Sequence, residues 1–113
     1  MVNSTVITEM RGNTDVIIAT GQLDNETYKG LKKAVDGLLE QKKYKIAIDL
    51  SGVEYMCSAA WGTITGSLKA ARQNLGDIVV AGMSEDLKSV FELIELGDMI
   101  KSYSTLEEAV KSL

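Results

Sequence analysis

The stretch that decides the fold is 46-IAIDLSGVEYMCSAAWG-62, in which a short apolar run leads through a loop into a helical pattern. Residues 46–50 are almost continuously apolar, which is typical of a strand buried on both faces of a parallel sheet. Ser51-Gly52 is predicted to break that strand, and residues 53–56 to form a short extended piece. The loop then leads into a helix predicted from about Ala59 to Gln73.

Upstream of this stretch, the pattern predicts a hairpin followed by a helix. A first strand (Thr5 to Met10) and a second strand (Asp15 to Thr20) flank a short turn, and the motif Gly21-Gln22-Leu23-Asp24 is predicted to end the second strand. A helix from Glu26 to about Gln41 follows, with Asp24 or Asn25 as its N-cap. Its apolar positions recur at helical spacing: Tyr28, Leu31, Val35, Leu38 and Leu39.

Downstream, a buried strand is predicted over residues 77–83, and Ser84 is predicted to cap the helix that follows. Gly97 is expected to stop that helix. A strand from Met99 to Tyr103 and a final helix, capped by Ser104 or Thr105, complete the chain. The third helix is expected to bury four apolar side chains: Leu87, Val90, Phe91 and Ile94.

The predicted element order is therefore β-β-α-β-α-β-α-β-α, in one domain that spans residues 1–113. Strands that alternate with helices imply parallel pairing, and the opening hairpin adds an antiparallel edge. We expect an α/β fold with a mixed, mostly parallel sheet and helices packed against it.

The composition excludes most catalytic sites. The chain has 113 residues, no histidine and one cysteine, so a Ser-His-Asp triad, a Cys-His pair and a typical zinc site are excluded. No Gly-rich phosphate loop is present. The net charge of −4 disfavours direct nucleic-acid binding. These observations predict a binding protein without a cofactor; a small-ligand domain and a carboxylate-only enzyme are the less favoured alternatives.

The chain is expected to be cytoplasmic. No apolar run reaches the roughly 18 residues that a membrane span needs, and the N-terminus lacks the pattern of a signal peptide. The single Cys57 has no partner for an intrachain disulfide, as expected in a reducing compartment. We predict no membrane insertion and a monomer or weak dimer.

The loop that ends in Ser58 is the candidate functional site. A serine at a helix N-terminus lies beside backbone N–H groups that have no partner inside the helix, and such groups stabilise an anion. A phosphoryl group on Ser58 would add about 1.5 to 2 negative charges and alter partner binding without unfolding the domain. The simpler interpretation is that Ser58 only caps the helix.

The whole chain resembles the STAS domain family, and in particular its stand-alone bacterial members, the anti-sigma-factor antagonists. Gly21-Gln22-Leu23-Asp24 resembles the family's G-x-L/I-D after the second strand, and residues 49–53 resemble its D-L-S-x-V. Residues 56–62 (Met-Cys-Ser-Ala-Ala-Trp-Gly) occupy the place of its x-D-S-S/T/A-G-L-G loop. The spacing and the element order also agree.

The resemblance implies that the partner is an anti-sigma factor that is itself a serine kinase, and that Ser58 is its phosphorylation site. Binding of the unphosphorylated chain would release the sigma factor. The residues expected to contact the partner surround this serine: Asp24, Met56, Cys57, Ser58, Ala59 and Trp61. For Met56, Trp61 and Cys57, a place in the core is the alternative interpretation, and for Cys57 a redox switch is a further one.

Three residues in this loop differ from the family pattern. Cys57 replaces the aspartate before the acceptor, Ala60 replaces a glycine, and Trp61 replaces a leucine. Constitutive partner binding without phosphorylation is therefore one alternative. Another is an adaptor subunit that binds the ATPase of a membrane lipid-transport complex.

Overall fold

The computed structural model describes residues 4–113 and has the predicted element order. The strands are β1 (Ser4–Arg11), β2 (Thr14–Leu23), β3 (Lys45–Met56), β4 (Asp77–Ala81) and β5 (Ser102–Tyr103). The helices are α1 (Tyr28–Glu40), α2 (Ser58–Gln73), α3 (Glu85–Leu93) and α4 (Leu106–Ser112), with a 3₁₀ turn η1 (Leu96–Asp98) after α3.

The five strands form one sheet in the order β1-β2-β3-β4-β5. β1 pairs with β2 antiparallel, and the three remaining pairs are parallel, so the predicted mixed, mostly parallel α/β fold is confirmed. One face of the sheet packs against the buried sides of α1, α2 and α3. The other face carries a smaller cluster around Ala109 of α4.

Strand β3 is longer than predicted, because Ser51-Gly52 does not break it. β2 also continues to Leu23, and the two strands stay paired through register shifts between Ile18 and Thr20 and between Gly21 and Gln22. Gly52 makes this possible, since a Cβ there would lie 2.9 Å from the Thr20 Cγ2 atom. The bulged pairing carries both strands to the same end of the sheet.

Helix α1 begins at Tyr28, two residues later than predicted, and neither Asp24 nor Asn25 is its N-cap. Asp24 Oδ1 instead accepts hydrogen bonds from the backbone N–H groups of Glu26 and Thr27, each at 2.9 Å. These bonds close a turn that precedes the helix. Thr27 occupies the N-cap position without a side-chain capping bond.

Helix α3 buries only half of the side chains predicted for its core face. Leu87 and Phe91 are four residues apart, so they lie on the same side of the helix, and both are buried in the core. Val90 and Ile94 lie beside that buried side and are exposed. The helix ends at Leu93, before Gly97, because Glu95 adopts a left-handed conformation with φ of 60°. The η1 turn follows, and β5 covers only Ser102–Tyr103 of the strand predicted from Met99 to Tyr103.

Candidate functional site

The site forms where β2 and β3 end side by side. Leu23 and Met56 are paired at the ends of these strands, and the Cys57 N–H donates a hydrogen bond of 2.8 Å to the Leu23 carbonyl. This bond ties the loop after β3 to the loop after β2. It therefore brings the loop that contains Asp24 close to the loop that contains Ser58, although the two residues are far apart in the sequence.

Ser58 is the first residue of α2, and its side chain is exposed. Cys57, with extended backbone angles of −75° and 168°, holds the N-cap position and supplies no side-chain capping bond. The interpretation of Ser58 as the helix N-cap is therefore wrong. Within residues 4–113 its hydroxyl makes no hydrogen bond, so it is available to react or to contact a partner.

The start of α2 leaves backbone donors free beside Ser58. The N–H groups of Ala60 and Trp61 both donate to the Cys57 carbonyl, at 3.1 Å and 3.2 Å. The two preceding N–H groups of the first turn have no acceptor inside the helix. A helix of 16 residues also has the positive end of its dipole here, so an anion at Ser58 is electrostatically favoured.

Asp24 is held in a fixed orientation by the turn before α1. Its backbone N–H donates to Thr27 Oγ1 at 2.8 Å, and the Thr27 hydroxyl lies 2.6 Å from the Gln22 carbonyl, to which it donates. The Asp24 Oδ1 atom accepts the two backbone bonds of the turn. Within residues 4–113 the Oδ2 atom makes no hydrogen bond, and the half-buried carboxylate remains accessible to a partner.

These donors lower the pKa of Asp24 below its ordinary value of 3.8. The largest cause is the hydrogen bond from the Thr27 N–H, followed by the bond from the Glu26 N–H; both stabilise the charged carboxylate. Asp24 is therefore ionised at neutral pH and presents a fixed negative charge.

Three of the six predicted contact residues lie in the core. Met56, Cys57 and Trp61 are buried in the cluster under α1, α2 and α3. The Trp61 ring packs against Phe91 with centroids 5.6 Å apart and planes tilted by 50°. Its Nε1–H has no hydrogen-bond acceptor among the described residues. These side chains support the loop from beneath, while Asp24, Ser58 and the half-buried Ala59 reach the surface.

Thr27 is the part of the site that sequence reasoning missed. Its hydroxyl joins the Asp24 backbone to the Gln22 carbonyl and so fixes the end of β2. The available signal was a threonine three residues after an aspartate, the spacing at which a hydroxyl and a carboxylate can each bond to the other residue's backbone.

Among residues 4–113, no three His, Cys, Asp or Glu side chains are grouped so as to hold a metal ion. No helix in the same range is long and apolar enough to cross a membrane. The arrangement provides an exposed hydroxyl at a helix N-terminus beside a fixed carboxylate.

Comparison with known proteins identifies the family. Residues 5–109 match the sequence model of the STAS domain. The chain belongs to the STAS domain family. The predicted resemblance is thus confirmed over nearly the whole chain, and the Ser58 loop lies within the matched region.

Relatives in this family include the anti-sigma-B factor antagonist of Listeria monocytogenes serovar 1/2a, which is 32% identical over 87 residues, or 77% of this chain and 75% of that protein. The STAS fold is also that of SpoIIAA, an anti-sigma factor antagonist. Its unphosphorylated form matches with a TM-score of 0.80 at 22% identity, covering 96% of this chain and 95% of that one. The phosphorylated form of the Bacillus protein matches with a TM-score of 0.73 at 22% identity, covering 96% and 98%.

Proposed function

We propose that this chain is an anti-sigma factor antagonist that binds a serine-kinase anti-sigma factor through the surface around Ser58, and that phosphorylation of Ser58 ends the binding. The observation that carries the proposal is the exposed, unbonded hydroxyl of Ser58 at the first position of α2, beside the fixed carboxylate of Asp24. The anti-sigma-B factor antagonists among the relatives support the same function.

The position of Ser58 suits a reversible modification. The side chain points into solvent at the end of a helix, so a kinase can reach it without unfolding the domain. A phosphoryl group there interacts favourably with the helix dipole and with the free N–H groups. The fold therefore tolerates both states, as the two forms of SpoIIAA illustrate for that protein.

The same modification opposes partner binding. A phosphoryl group adds about 1.5 to 2 negative charges to a surface that already carries the Asp24 carboxylate. A partner surface that is complementary to a neutral hydroxyl beside one carboxylate would be repelled by the added negative charge and would clash with the added volume of the phosphoryl group. Loss of binding then follows from repulsion and desolvation at the interface, with no change in the domain itself.

The replacement of the family's aspartate by Cys57 does not remove the hydroxyl from the surface. The Cys57 side chain is buried, while its backbone N–H bonds to Leu23 and its carbonyl accepts from Ala60 and Trp61. Cys57 therefore acts as a packed residue that orients the start of α2. The charge beside Ser58 comes from Asp24 on the neighbouring loop.

The deciding experiment is to mix the purified chain with each serine-kinase anti-sigma factor of its host and ATP, and to follow intact mass and tryptic peptides. We expect one added phosphoryl group, located on the peptide that contains Ser58. Ser58→Ala should bind the kinase and take up no phosphate. Tight binding without any modification would instead indicate an adaptor that is not phosphorylated.

Ser58→Asp tests the charge switch in a binding measurement without ATP. We expect affinity for the kinase to fall by roughly tenfold or more, which corresponds to about 1.4 kcal/mol or more. Ser89→Asp is the matched control, since Ser89 is an exposed serine on α3 outside the site. Equal affinity of Ser58→Asp and the parent chain would contradict the switch.

A further inference from the structure

Leu75 is the most exposed large apolar side chain among residues 4–113. It is 91% exposed and lies in the turn between α2 and β4, at the end of the sheet where the parallel strands begin. Met10, near the end of β1, is 58% exposed and lines the same cleft of about 380 Å³. Neither side chain belongs to the two buried clusters, so the core does not account for them.

The backbone of Leu75 also has an unfavourable conformation. Its φ of 65° lies in the left-handed region that glycine or asparagine usually occupies after a helix. The Gly76 N–H donates to the Ala71 carbonyl at 2.9 Å, and this bond closes the helix end. The Asp77 N–H donates to the Tyr44 carbonyl at 2.9 Å and fixes the turn. A leucine here therefore stabilises neither the helix end nor the core, which points to a contact outside the domain.

Three lysines line the cleft together with Leu75 and Met10. They belong to the connection between α1 and β3 and to the first residue of β3. We call the five residues the basic face: Met10, Lys42, Lys43, Lys45 and Leu75. The face thus combines a fixed apolar side chain with adjacent positive charges.

The basic face keeps an excess of positive charge after its internal ion pair is counted. Lys42 and Lys45 are exposed, and neither forms an ion pair within residues 4–113. Lys43 lies 3.6 Å from the carboxylate of Asp15, whose side chain is only 8% exposed. Asp15 is the one acidic side chain that lines this cleft, so three lysines stand against one carboxylate.

A second cleft, of about 270 Å³, lies on the other side of Leu75 and adds no acidic surface. Lys45 and Lys101 line it together with Asp77. The Asp77 carboxylate is shared by two cations, with Arg72 at 3.0 Å and Lys101 at 3.8 Å. These paired cations contribute little to an outside contact. The free positive charge next to Leu75 is therefore that of the basic face.

The basic face suits an anionic lipid bilayer better than another protein. Protein interfaces are depleted in lysine, and their centre is a packed apolar patch. Here the two exposed apolar side chains stand among lysines. At a bilayer, lysines attract anionic headgroups, and an exposed apolar side chain can enter the boundary between headgroups and acyl chains.

The net charge of −4 does not prevent this contact. The molecule measures 33 × 29 × 23 Å, whereas charges more than about 8 Å apart are largely screened at physiological ionic strength. Acidic side chains at the carboxyl end of the sheet are therefore screened from a surface that touches the other end. A bilayer at the basic face is attracted by the nearby lysines.

We propose that the basic face binds anionic lipid bilayers, with Leu75 entering the headgroup region and the lysines contacting lipid phosphates. The contact is peripheral and reversible, because one leucine and a few lysines bind more weakly than two lipid anchors. The inference goes beyond the proposed function and does not depend on it. Lys45 begins β3 and Ser58 follows its other end, so the bound protein still presents Ser58 to a partner.

Vesicle co-sedimentation tests the proposal, with phosphatidylcholine alone and with phosphatidylcholine and phosphatidylglycerol in equal parts. We expect the parent chain to bind only the anionic vesicles at about 0.1 M salt and to be released at about 0.5 M, because salt screens the lysines. Absence of binding to anionic vesicles up to millimolar lipid would overturn the proposal, even if an acidic protein bound the basic face.

The double variant Lys42→Gln, Lys45→Gln tests the role of the free lysines. Its affinity for anionic vesicles should fall roughly tenfold or more. The matched control is Lys29→Gln, Lys33→Gln, which changes the net charge equally at exposed lysines of α1 that form no ion pair within residues 4–113. The control should bind like the parent. An equal loss in both double variants would assign the effect to net charge and overturn the proposed face.

Leu75→Asn separates membrane contact from folding. Asparagine tolerates the left-handed conformation, so the melting temperature should stay the same or rise. Affinity for anionic vesicles should nevertheless fall roughly fivefold or more, because the apolar side chain is lost. Tyr55→Thr is the control, since Tyr55 is 51% exposed near the carboxyl end of β3, and it should bind like the parent. Parent-like vesicle binding by Leu75→Asn would contradict the entry of Leu75 into the bilayer.

Discussion

At the scale of single residues, Asp24 combines a structural and a binding role. Its Oδ1 atom closes the turn before α1 by accepting two backbone bonds of 2.9 Å, and its Oδ2 atom remains free within the described residues. One carboxylate thus fixes the loop after β2 and presents charge next to Ser58. The hydrogen bonds that orient it also keep it ionised.

Replacing Asp24 should remove a pH-dependent part of the stability of the fold. The folded state lowers the pKa of Asp24, so the carboxylate stabilises the fold above its unfolded value near 3.8, and this stabilisation is lost as pH falls through the lower folded-state pKa. Asp24→Asn should therefore be less stable than the parent at neutral pH, with the difference shrinking below pH 3.8. Urea unfolding at a series of pH values measures this difference in the free energy of unfolding.

Glu26→Gln provides the comparison for that experiment, since the Glu26 side chain makes no hydrogen bond or ion pair within residues 4–113. Its stability should follow that of the parent chain. If the free energies of unfolding of Asp24→Asn and the parent differed by the same amount at every acidic pH, the stability of the turn would not depend on the charge of Asp24.

At the scale of elements, the glycines of α2 and of its terminus have opposite roles. Gly66 lies within α2, and a Cβ at this position would meet no atom within 4 Å. Gly76 follows the helix at the turn into β4, where a Cβ would overlap the carbonyl of Tyr44. Gly66 therefore lowers the stability of the helix although the packing does not require a glycine there. Gly76, in contrast, allows its backbone to lie close to the backbone of Tyr44.

Alanine substitutions at these two glycines should change the free energy of unfolding in opposite directions. Gly66→Ala should stabilise the protein by about 0.5 to 1 kcal/mol, because alanine loses less backbone entropy in a helix. Gly76→Ala should destabilise it by about 2 to 3 kcal/mol, because the turn must shift away from Tyr44. Urea denaturation of both variants tests this; equal effects would contradict the packing described at Gly76.

At the scale of the whole molecule, acidic side chains concentrate near the carboxyl end of the sheet. Glu54 lies near the end of β3, and the other acids lie in the loops and first helical turns that follow strands: Asp24, Glu26, Glu85, Asp86, Glu107 and Glu108. Six cations lie at the other end, where Asp15 and Asp77 form ion pairs with three of them: Lys42, Lys43, Lys45, Arg72, Lys101 and Lys111. Helix dipoles explain part of this pattern, since acids stabilise helix starts. The proposed Ser58 surface therefore lies at the end of the sheet that is rich in acidic side chains.

This concentration of acids predicts that partner association depends on salt. If the kinase binds at the carboxyl end of the sheet, its association rate should fall several-fold between about 0.05 M and 0.5 M salt, because screening weakens long-range attraction. Glu54→Gln should slow association, while Glu92→Gln on α3 should not. Stopped-flow or surface binding kinetics measure these rates, and a rate independent of salt would place the contact elsewhere.

The sequence determined the element order, the mixed sheet and the family. The buried run at residues 46–50, the helical spacing of Leu31, Val35 and Leu38, and the Ser84 cap all appear in the structure as predicted. These features depend on local periodicity and capping, which the residues themselves specify. The family motifs likewise lie in short stretches that can be recognised without coordinates.

Only the tertiary structure decided which side chains face solvent and which loops meet. Local pattern did not show that Gly52 fits against Thr20 and keeps β3 continuous, that Trp61 is buried against Phe91, or that Val90 and Ile94 are exposed. The Cys57 to Leu23 bond that brings Ser58 toward Asp24 joins residues 34 positions apart. Periodicity marks a residue as apolar and helical, but burial depends on how much surface the neighbouring elements cover, and that is set by long-range packing.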